Sequence, residues 1–254
     1  MGDSSCVACG ECVQACPTGA LMPAALVDAH GRGDSACAER KVDSVCPYCG
    51  VGCQLTYHVR DERILFVEGR NGPANENRLC VKGRFGFDYP NHHGRLTTPL
   101  IRRAGAPKGV DPAFDPANPL TRFRPASWDE ALDFAAAGLR RLLDAHGPGV
   151  LAGFGSAKCS NEEAWLFQKL VRTGFGSNNV DHCTRLCHAS SVAALMECIG
   201  SGAVTASFMQ AAQADVVLLT GCNPTVNHPV AATWFKQAAK RGTKLIVLDP
   251  RGLV

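Results

Sequence analysis

Seven cysteines near the start of the chain fall into two short runs, and their spacing is that of cluster ligands. The first run, C-x2-C-x2-C-x3-C-P, contains Cys6, Cys9, Cys12 and Cys16. Thiols so close in sequence gain little as disulfides, because a disulfide stabilises mainly by closing a long loop. Soft thiolates favour iron–sulfur chemistry, and this spacing is typical of a [4Fe–4S] cluster whose fourth cysteine serves a second cluster. A structural zinc site is the less favoured alternative, since zinc motifs usually separate their cysteine pairs by longer loops.

The first run lacks part of its ligand set. In this pattern Cys6, Cys9 and Cys12 require a fourth thiolate from a second run, and Cys16 requires three partners from the same place. Cys37 is a candidate, although it stands alone in the polar segment AHGRGDSACAERK, and a solvated linker thiol is the alternative. The sequence therefore predicts a partial ferredoxin-like segment whose remaining ligands lie outside this chain.

The second run has a different spacing, Cys46-x2-Cys49-x3-Cys53, and a predicted hairpin follows it. QLTYHV alternates as a strand does, RDER forms a turn, and ILFVEG returns as a second strand. The hairpin would bring the chain back beside the loop that contains these three thiols. Cys80 is the nearest cysteine after the hairpin, so we predict that it completes the ligand set of a second [4Fe–4S] cluster.

The second half of the chain alternates predicted strands with predicted helices. VLAGFG, DVVLLTG and KLIVLDP have the composition of short buried strands. Ser127 with Glu130, and Ser160 with Glu163, match the capping box that begins a helix. This alternation is typical of a doubly wound, mostly parallel α/β sheet.

Three loops at the expected carboxyl ends of these strands contain small or polar residues that suit a phosphate-containing ligand. Ligands of such sheets bind beyond the carboxyl ends of the strands, and helix N-termini receive phosphate. Asp249 could also accept hydrogen bonds from a guanine or a ribose. Ordinary loop chemistry is the alternative, because none of these loops has a GxGxxG motif. The candidate cofactor-binding residues in them are Gly155, Cys159, Asn161, Gly221, Asn223, Asp249 and Arg251.

The segment DHCTRLCHASS contains two cysteines and two histidines just before an apolar helical stretch. A thiol at a helix N-terminus is generally a better metal ligand, because the helix dipole favours its thiolate. Zinc is an alternative, although the adjacent Cys187 and His188 would point apart on a helix. As for metal binding, Cys159, Cys198 and Cys222 are expected to pack as small apolar residues rather than to act as ligands.

Two of these motifs resemble those of the molybdenum or tungsten bis-pterin oxidoreductases, the dimethyl-sulfoxide-reductase superfamily. The pattern C-x2-C-x3-C-x26-C followed by VKG resembles the N-terminal cluster domain of that superfamily. TRLCHASSVAAL resembles the active-site segment of formate dehydrogenases. The longer stretch GSAKCSNEEAWLFQKLVRTGFGSNNVDHCTRLCHASSVAAL is most similar to the catalytic (alpha) subunit of the soluble NAD-dependent formate dehydrogenases. The resemblance covers nearly the whole chain.

The resemblance implies roles for particular residues. Cys187 would ligate the metal, and His188 would lie beside the substrate and accept or relay a proton. Lys82 would lie between cluster and pterin and assist electron transfer, although a surface lysine is the alternative. The implied cofactors are [4Fe–4S] clusters and molybdenum or tungsten bis-molybdopterin guanine dinucleotide. Formate would be oxidised to carbon dioxide, and the electrons would pass through the clusters toward iron–sulfur and flavin subunits that reduce NAD.

The resemblance also implies three segments: a partial ferredoxin-type [4Fe–4S] segment at 1–36, a small β-rich [4Fe–4S] domain at 37–105, and the first part of an α/β domain at 106–254. Relatives continue well beyond the last residue, so the chain is expected to be a fragment, truncated at both ends and inactive alone. Two alternatives remain. One is another enzyme of the superfamily, such as a nitrate reductase, and the other is a non-catalytic iron–sulfur electron-transfer module.

Composition excludes several other classes of protein. The chain has 254 residues, of which 46% are hydrophobic and 19% charged, as in globular proteins. Its net charge of +3 is too small to indicate nucleic-acid binding. No apolar run reaches the roughly 18 residues that a membrane helix requires, and MGDSSCVACG does not have the pattern of a signal peptide. A soluble, cytoplasmic protein is therefore expected.

Overall fold

The computed structural model describes residues 6–28, 30, 38–109 and 112–252. The chain divides into two compact units, one formed by Met1–His93 with Thr205–Val254 and the other by Gly94–Val204. Cys37, the candidate cluster ligand, lies outside the described residues. The sequence-based division into segments 1–36, 37–105 and 106–254 follows the cofactor motifs, and it stays a prediction.

The first unit begins with a short helix and a three-stranded antiparallel sheet. Helix α1 spans Glu11–Ala15, and strands β1, β2 and β3 span Arg40–Val45, Gln54–Arg60 and Arg63–Gly69. The hairpin predicted after the second cysteine run is confirmed as β2 and β3, whereas the sequence pattern did not predict β1. Since β1 pairs directly with β2, the second cysteine run is the loop that joins them. Helix α2, Val81–Phe85, follows the loop after β3.

The core of this unit includes part of the second cysteine run. Leu55 of β2 is fully buried, and Val67 of β3 and Leu79 pack into the same hydrophobic core. Cys46 and Cys53 belong to this hydrophobic core and are themselves buried. Each large apolar side chain buried in this way contributes about 1.5–3 kcal/mol. The packing therefore fixes the ends of the cysteine loop against the sheet.

The second unit contains short strands and longer helices. It begins with an antiparallel hairpin of β4, Leu100–Arg102, and β5, Phe123–Pro125. Strand β6 then pairs with β7 in parallel. The remaining elements, in chain order, are α3 (Trp128–His146), β6 (Gly153–Phe154), α4 (Asn161–Lys169), β7 (Val180–Asp181), α5 (Thr184–Cys187) and α6 (Ala189–Ile199).

The two predicted capping boxes have different outcomes. At α4 the Ser160 hydroxyl accepts from the Glu163 amide at 3.2 Å, and the Glu163 carboxylate accepts from the Ser160 amide at 2.7 Å, so the box is complete. At α3 only the first half forms. The Ser127 hydroxyl accepts from the Glu130 amide at 3.1 Å, but the Glu130 carboxylate pairs with Arg124. That hydrogen bond from Arg124 lowers the pKa of Glu130.

The predicted strand VLAGFG is shorter and less buried than expected. Only Gly153 and Phe154 form a strand, and Phe154 is 86% exposed. A side chain at Gly153 would come within 2.5 Å of Val171, which shows that helix α4 and its continuation lie close to this strand. Leu132 and Phe134 of α3 are likewise exposed.

The chain then returns to the first unit in a parallel β-α-β arrangement. Strand β8 pairs with β9 in parallel, and the helix between them is the crossover that parallel strands require. Its side chains Val230, Ala231 and Trp234 are buried. The elements are α7 (Phe208–Gln213), β8 (Val216–Thr220), α8 (Pro224–Asn227), α9 (Pro229–Lys240) and β9 (Lys244–Leu248). A mixed α/β fold with a small sheet beside the cysteine runs is thus confirmed. None of the helices in the described ranges is both long and apolar enough to cross a membrane.

Candidate functional site

A cavity in the first unit brings together the cysteines of the second run and Cys80. Three of the four thiols come from the β1–β2 loop and the fourth from the residue that precedes α2. Lys82 also lines the cavity. The full lining is Cys46, Tyr48, Cys49, Val51, Cys53, Leu79, Cys80, Lys82, Gly83, Asn227, Pro229 and Val230. The predicted return of the chain to the cysteine loop is therefore confirmed, and the ligand roles of these thiols stay predictions.

The backbone of the cysteine loop is folded tightly around this cavity. The amide of Cys46 donates to the carbonyl of Cys53 at 2.8 Å, which closes the loop at its base. Gly52 has φ +68°, a conformation that favours glycine because L side chains rarely adopt it. Helix α2 approaches so closely that a Cβ at Gly83 would lie 3.3 Å from the Cys46 sulfur. Gly83 therefore permits the close approach of α2 to the cysteine loop.

The position of Cys80 depends on the loop between β3 and α2. Asn75 is fully buried in this loop and acts as its central hydrogen-bonding group. Its Oδ1 accepts from the Gln54 amide at 3.0 Å. Its Nδ2 lies 3.0–3.1 Å from the carbonyl oxygens of Gln54, Arg70 and Arg78. Asn75 thus joins the segment before Cys80 to the residue after Cys53.

Helix α9 packs against the same loop. The Trp234 indole donates to the carbonyl of Ala74 at 2.9 Å. The Arg78 guanidinium lies 4.6 Å from the Trp234 ring centroid, and it donates to the Thr233 hydroxyl at 2.8 Å. These contacts hold Val230 of the same helix at the wall of the cavity.

The electrostatics of the cavity favour a positively charged occupant. Burial, together with the smaller effect of the nearby thiolates of Cys46, Cys49 and Cys80, raises the pKa of the Cys53 thiol to about 12. The Cys53 thiol can become a thiolate beside the other three sulfurs only if a cationic centre compensates for the buried charge. Iron of an iron–sulfur cluster provides such a charge, and it binds cysteine thiolates. Among the described residues, no group of three or more His, Cys, Asp or Glu is arranged to hold a single metal ion.

The first cysteine run lies at α1, on the same unit. Cys9 precedes the helix, Cys12 is within it, and Cys16 follows it. Hydrogen bonds from the Thr18 hydroxyl and the Leu21 amide lower the pKa of Cys16 to about 7. Cys12 is exposed, and Cys9 and Cys16 are partly buried. The missing ligands of this run are not identified by the described residues.

In the second unit, one cleft collects the first group of predicted cofactor-binding residues. Gly155, Cys159 and Asn161 line it together with His182 and Thr184. The cleft measures about 720 Å³ and is open to solvent. The Gly155 amide donates to the carbonyl of Asp181 at 2.8 Å, so the loop after β6 lies beside the loop after β7. Parallel pairing of these strands explains why both loops open into one cleft.

Cys187 and His188 lie at the junction of two helices. Cys187 is the last residue of α5, and His188 has φ −136° and ψ 28°, which ends one helix and begins the next. The two residues are therefore not on one continuous helix, and they lie just before α6, the predicted apolar helical stretch. Both are exposed. Neither lines the cleft described above, although Thr184 of the same short helix does.

The remaining predicted cofactor-binding residues lie at the carboxyl ends of β8 and β9, in the first unit. Gly221 follows β8 with φ +62°, and its amide donates to the carbonyl of Leu248 at 2.8 Å. Asn223 begins α8, where its side chain accepts from the Thr225 amide at 3.2 Å. The Asp249 side chain is 3% exposed and accepts from the Arg251 amide at 2.9 Å. The structure thus brings Gly221, Asn223, Asp249 and Arg251 to the same edge.

The expectation that three other cysteines pack as apolar residues is wrong for two of them. Cys159 and Cys198 are exposed, and Cys222 is partly buried. The Cys159 thiol donates to the carbonyl of Ser156 at 3.0 Å, which keeps it in its loop rather than in a core.

Comparison with known families agrees with these motifs. Residues 3–22 match a 4Fe-4S binding domain, and residues 39–92 match the molybdopterin oxidoreductase Fe4S4 domain. Residues 95–252, more than half of the chain, match the molybdopterin oxidoreductase family. The chain belongs to the molybdopterin oxidoreductase family. Its cofactors are accordingly iron–sulfur clusters and a molybdopterin.

Two named relatives are similar over most of this chain. It is 39% identical to "F420-dependent formate dehydrogenase 2 subunit alpha" of Methanococcus maripaludis, over 83% of the chain and 28% of that protein. It is 37% identical to "Probable oxidoreductase YjgC" of Bacillus subtilis, over 99% of the chain and 28% of that protein. The chain thus spans little more than a quarter of the length of these relatives.

A solved structure supports the fold. Acetylene hydratase from Pelobacter acetylenicus superposes with a TM-score of 0.64 at 23% identity, over 83% of this chain and 27% of that one. Over the superposed residues, this molybdopterin oxidoreductase chain shares the fold of the corresponding part of that structure.

Sequence patterns missed the residues that position the cysteines. Asn75, Arg78 and Trp234 hold the Cys80 segment, and Arg84 contacts the first run. Asn75 and Arg78 are three positions apart, so their contact is local. Trp234 and Arg84 contact residues that are far from them in the sequence.

Proposed function

We propose that this molybdopterin oxidoreductase chain is part of a formate dehydrogenase catalytic subunit. The reaction would convert formate to carbon dioxide, one proton and two electrons. The observation that supports formate most directly is the pair Cys187–His188, exposed side by side at a helix junction. The similarity to a relative named as a formate dehydrogenase alpha subunit supports the same substrate.

In this proposal Cys187 holds molybdenum or tungsten, and His188 holds or moves the proton. A thiolate is a suitable ligand for a soft metal, and an imidazole can accept a proton near neutral pH. The bound bis-molybdopterin guanine dinucleotide centre supplies the two-electron redox chemistry that no side chain offers. The break between α5 and α6 leaves both side chains accessible to a group bound beside them.

Two sets of loop residues would bind the pterin dinucleotides. One set is Gly155, Cys159 and Asn161, which line the cleft after β6. The other lies after β8 and β9, where the buried carboxylate of Asp249 can accept hydrogen bonds from a guanine or ribose. Gly221 and Asn223 allow close approach of the backbone, and Arg251 adds a positive charge near phosphate.

The cavity of the second run would hold a [4Fe–4S] cluster through Cys46, Cys49, Cys53 and Cys80. Lys82, which lines the same cavity, would lie on the electron route between pterin and cluster. Cys6, Cys9, Cys12 and Cys16 would bind ferredoxin-type clusters with ligands from elsewhere in the protein. Electrons would leave toward iron–sulfur and flavin subunits that reduce NAD, in the cytoplasm.

The proposal is tested by replacing the metal ligand in the full-length parent protein. Cys187→Ala should abolish formate oxidation while the iron content stays unchanged, because Cys187 belongs to the second unit and the cysteine cavity to the first. The matched control is Cys198→Ala, which removes a different exposed thiol that lies in α6. This variant should retain activity. Unchanged formate turnover in Cys187→Ala would refute the ligand assignment. Turnover of nitrate but not formate by the unmodified parent would refute the substrate.

A further inference from the structure

Arg84 is a buried cation that joins three segments of the first unit. Its side chain is 4% exposed. Nε donates to the carbonyl of Cys9 at 2.8 Å, and Nη2 donates to the Glu11 carboxylate at 2.5 Å. Nη1 lies 2.8 Å from the Gln14 side-chain oxygen and 3.3 Å from the carbonyl of Val67. One guanidinium thus contacts α1, Cys9 two residues before its start, and strand β3.

Two side chains that accept hydrogen bonds from Arg84, those of Glu11 and Gln14, also bind the ends of the loop between β3 and α2. The Glu11 carboxylate also accepts from the Leu79 amide at 2.9 Å, immediately before Cys80. The Gln14 side chain makes a two-way pair with Gly69, since it accepts from the amide at 2.9 Å and donates to the carbonyl at 3.1 Å. The helix of the first cysteine run is therefore bound to both ends of the loop between β3 and α2.

The first cysteine run and helix α2 pack closely against each other, and this contact is the joint between them. Gly10 has φ +74°, and a Cβ at this position would lie 2.2 Å from Cδ of Arg84 and 2.8 Å from the Phe85 ring. The glycine of the first cysteine run is needed because α2 occupies the space beside it. The run C-x2-C-G-x-C and the segment C-V-K-G-R are thus in direct contact.

The contacts of Arg84 go beyond what fold stability alone would favour. A buried ion pair is expensive to desolvate, and an apolar pair of similar volume often stabilises a fold as well or better. A forked guanidinium with several fixed acceptors instead specifies a geometry. That geometry joins a residue between Cys9 and Cys12 to the helix that begins after Cys80.

We propose that Arg84 is the positioning residue that fixes the first cysteine run against the helix following Cys80, and thereby holds the two iron–sulfur centres at a constant separation. This inference rests on the cluster ligands assigned under the proposed function. An electron that leaves the cluster of the second run would reach the first run across this joint. The buried charge costs desolvation free energy, and in return it fixes the spacing between the two centres.

The first test measures amide hydrogen exchange across residues 9–16 and 54–60 in the chain purified without oxygen. Arg84→Gln should increase exchange over residues 9–16 by roughly tenfold or more, because several hydrogen bonds are lost together. Exchange over 54–60, strand β2, should be unchanged, because Arg84 and the two side chains that accept from it make no hydrogen bond to this strand. Arg84→Lys keeps the charge but not the fork and should give an intermediate rate. Arg40→Gln, which removes an exposed ion pair with Glu62, is the control and should match the wild type.

The second test is the electron paramagnetic resonance spectrum of the dithionite-reduced full-length protein. Two reduced clusters at a fixed short distance broaden each other's signals. Arg84→Gln should abolish this broadening without lowering the iron content, and Arg84→Lys should retain part of it. Unchanged exchange over residues 9–16 in Arg84→Gln, or equal opening of residues 54–60, would overturn the inference. Broadening that is absent from the wild type, or unaffected by the substitution, would overturn it as well.

Failure of the proposed function gives a different pattern. If Cys49→Ala/Cys53→Ala loses no iron, the cluster assignment is wrong, whereas the exchange result for Arg84 tests the joint itself. The two claims can therefore fail separately.

Discussion

Asn75 and Gln54 make a reciprocal pair of hydrogen bonds in which a side-chain amide takes the place of a neighbouring strand. The Gln54 amide donates to Oδ1 at 3.0 Å, and Nδ2 donates to the Gln54 carbonyl at 3.0 Å. Gln54 follows Cys53 directly, and Asn75 lies five residues before Cys80. This pair therefore sets the distance between the two chain segments that supply the proposed cluster ligands.

Asn75→Asp should destabilise the first unit strongly. The substitution removes the amide donor that faces three carbonyl oxygens. It also places a carboxylate charge in a fully buried position. We expect the free energy of unfolding to fall by about 3–5 kcal/mol, as for other unpaired buried charges. Urea unfolding at pH 7 measures this, with Asn71→Ala, an exposed residue of the same loop, as the control. Equal stability of Asn75→Asp and the control would contradict the role assigned to Asn75.

Trp234→Phe tests how helix α9 is held against the cluster loop. The substitution keeps an aromatic ring near Arg78 but removes the indole donor, so the carbonyl of Ala74 loses its partner. The expected loss is about 1–2 kcal/mol in the free energy of unfolding. Trp128→Phe, at a position 68% exposed, should change stability by less than about 0.5 kcal/mol. A larger effect at Trp128 than at Trp234 would show that the indole contact is not important.

Lys82→Ala separates cluster binding from electron transfer. Lys82 lines the cysteine cavity but is largely exposed, so its removal should leave the iron content of the full-length protein unchanged. We expect formate-driven reduction of the cluster to slow by roughly 10- to 100-fold, the effect of losing a charged hydrogen-bond donor of about 1.5–3 kcal/mol. Rapid-freeze electron paramagnetic resonance follows the reduction. A rate equal to the wild type would make Lys82 a surface lysine.

The elements that follow from local patterns were predictable from the sequence. The hairpin of β2 and β3, the helix α4 with its capping box at Ser160, and the parallel pair β8 and β9 all formed as expected. Alternation and capping depend on residues a few positions apart, and these signals are present in a single sequence.

What the sequence could not predict depends on distant partners. Arg84 contacts Gln14 and Cys9, which precede it by 70 and 75 positions. Trp234 contacts Ala74 from 160 positions away. Strand β1 was missed because RKVDSV is largely polar, and its pairing with β2 defines it. Glu130 did not complete its box because Arg124 offers a stronger, charged partner.

The iron content of the purified chain tests the cysteine cavity most directly. Protein prepared without oxygen from a host that makes the pterin cofactor would be compared with the variant Cys49→Ala/Cys53→Ala, and with Cys198→Ala as the control. We predict that the double variant contains about four irons fewer per chain than the wild type, because one [4Fe–4S] cluster is lost. Equal iron in the double variant and the wild type, or zinc in place of iron in the wild type, would contradict the assignment of Cys46, Cys49, Cys53 and Cys80 as cluster ligands.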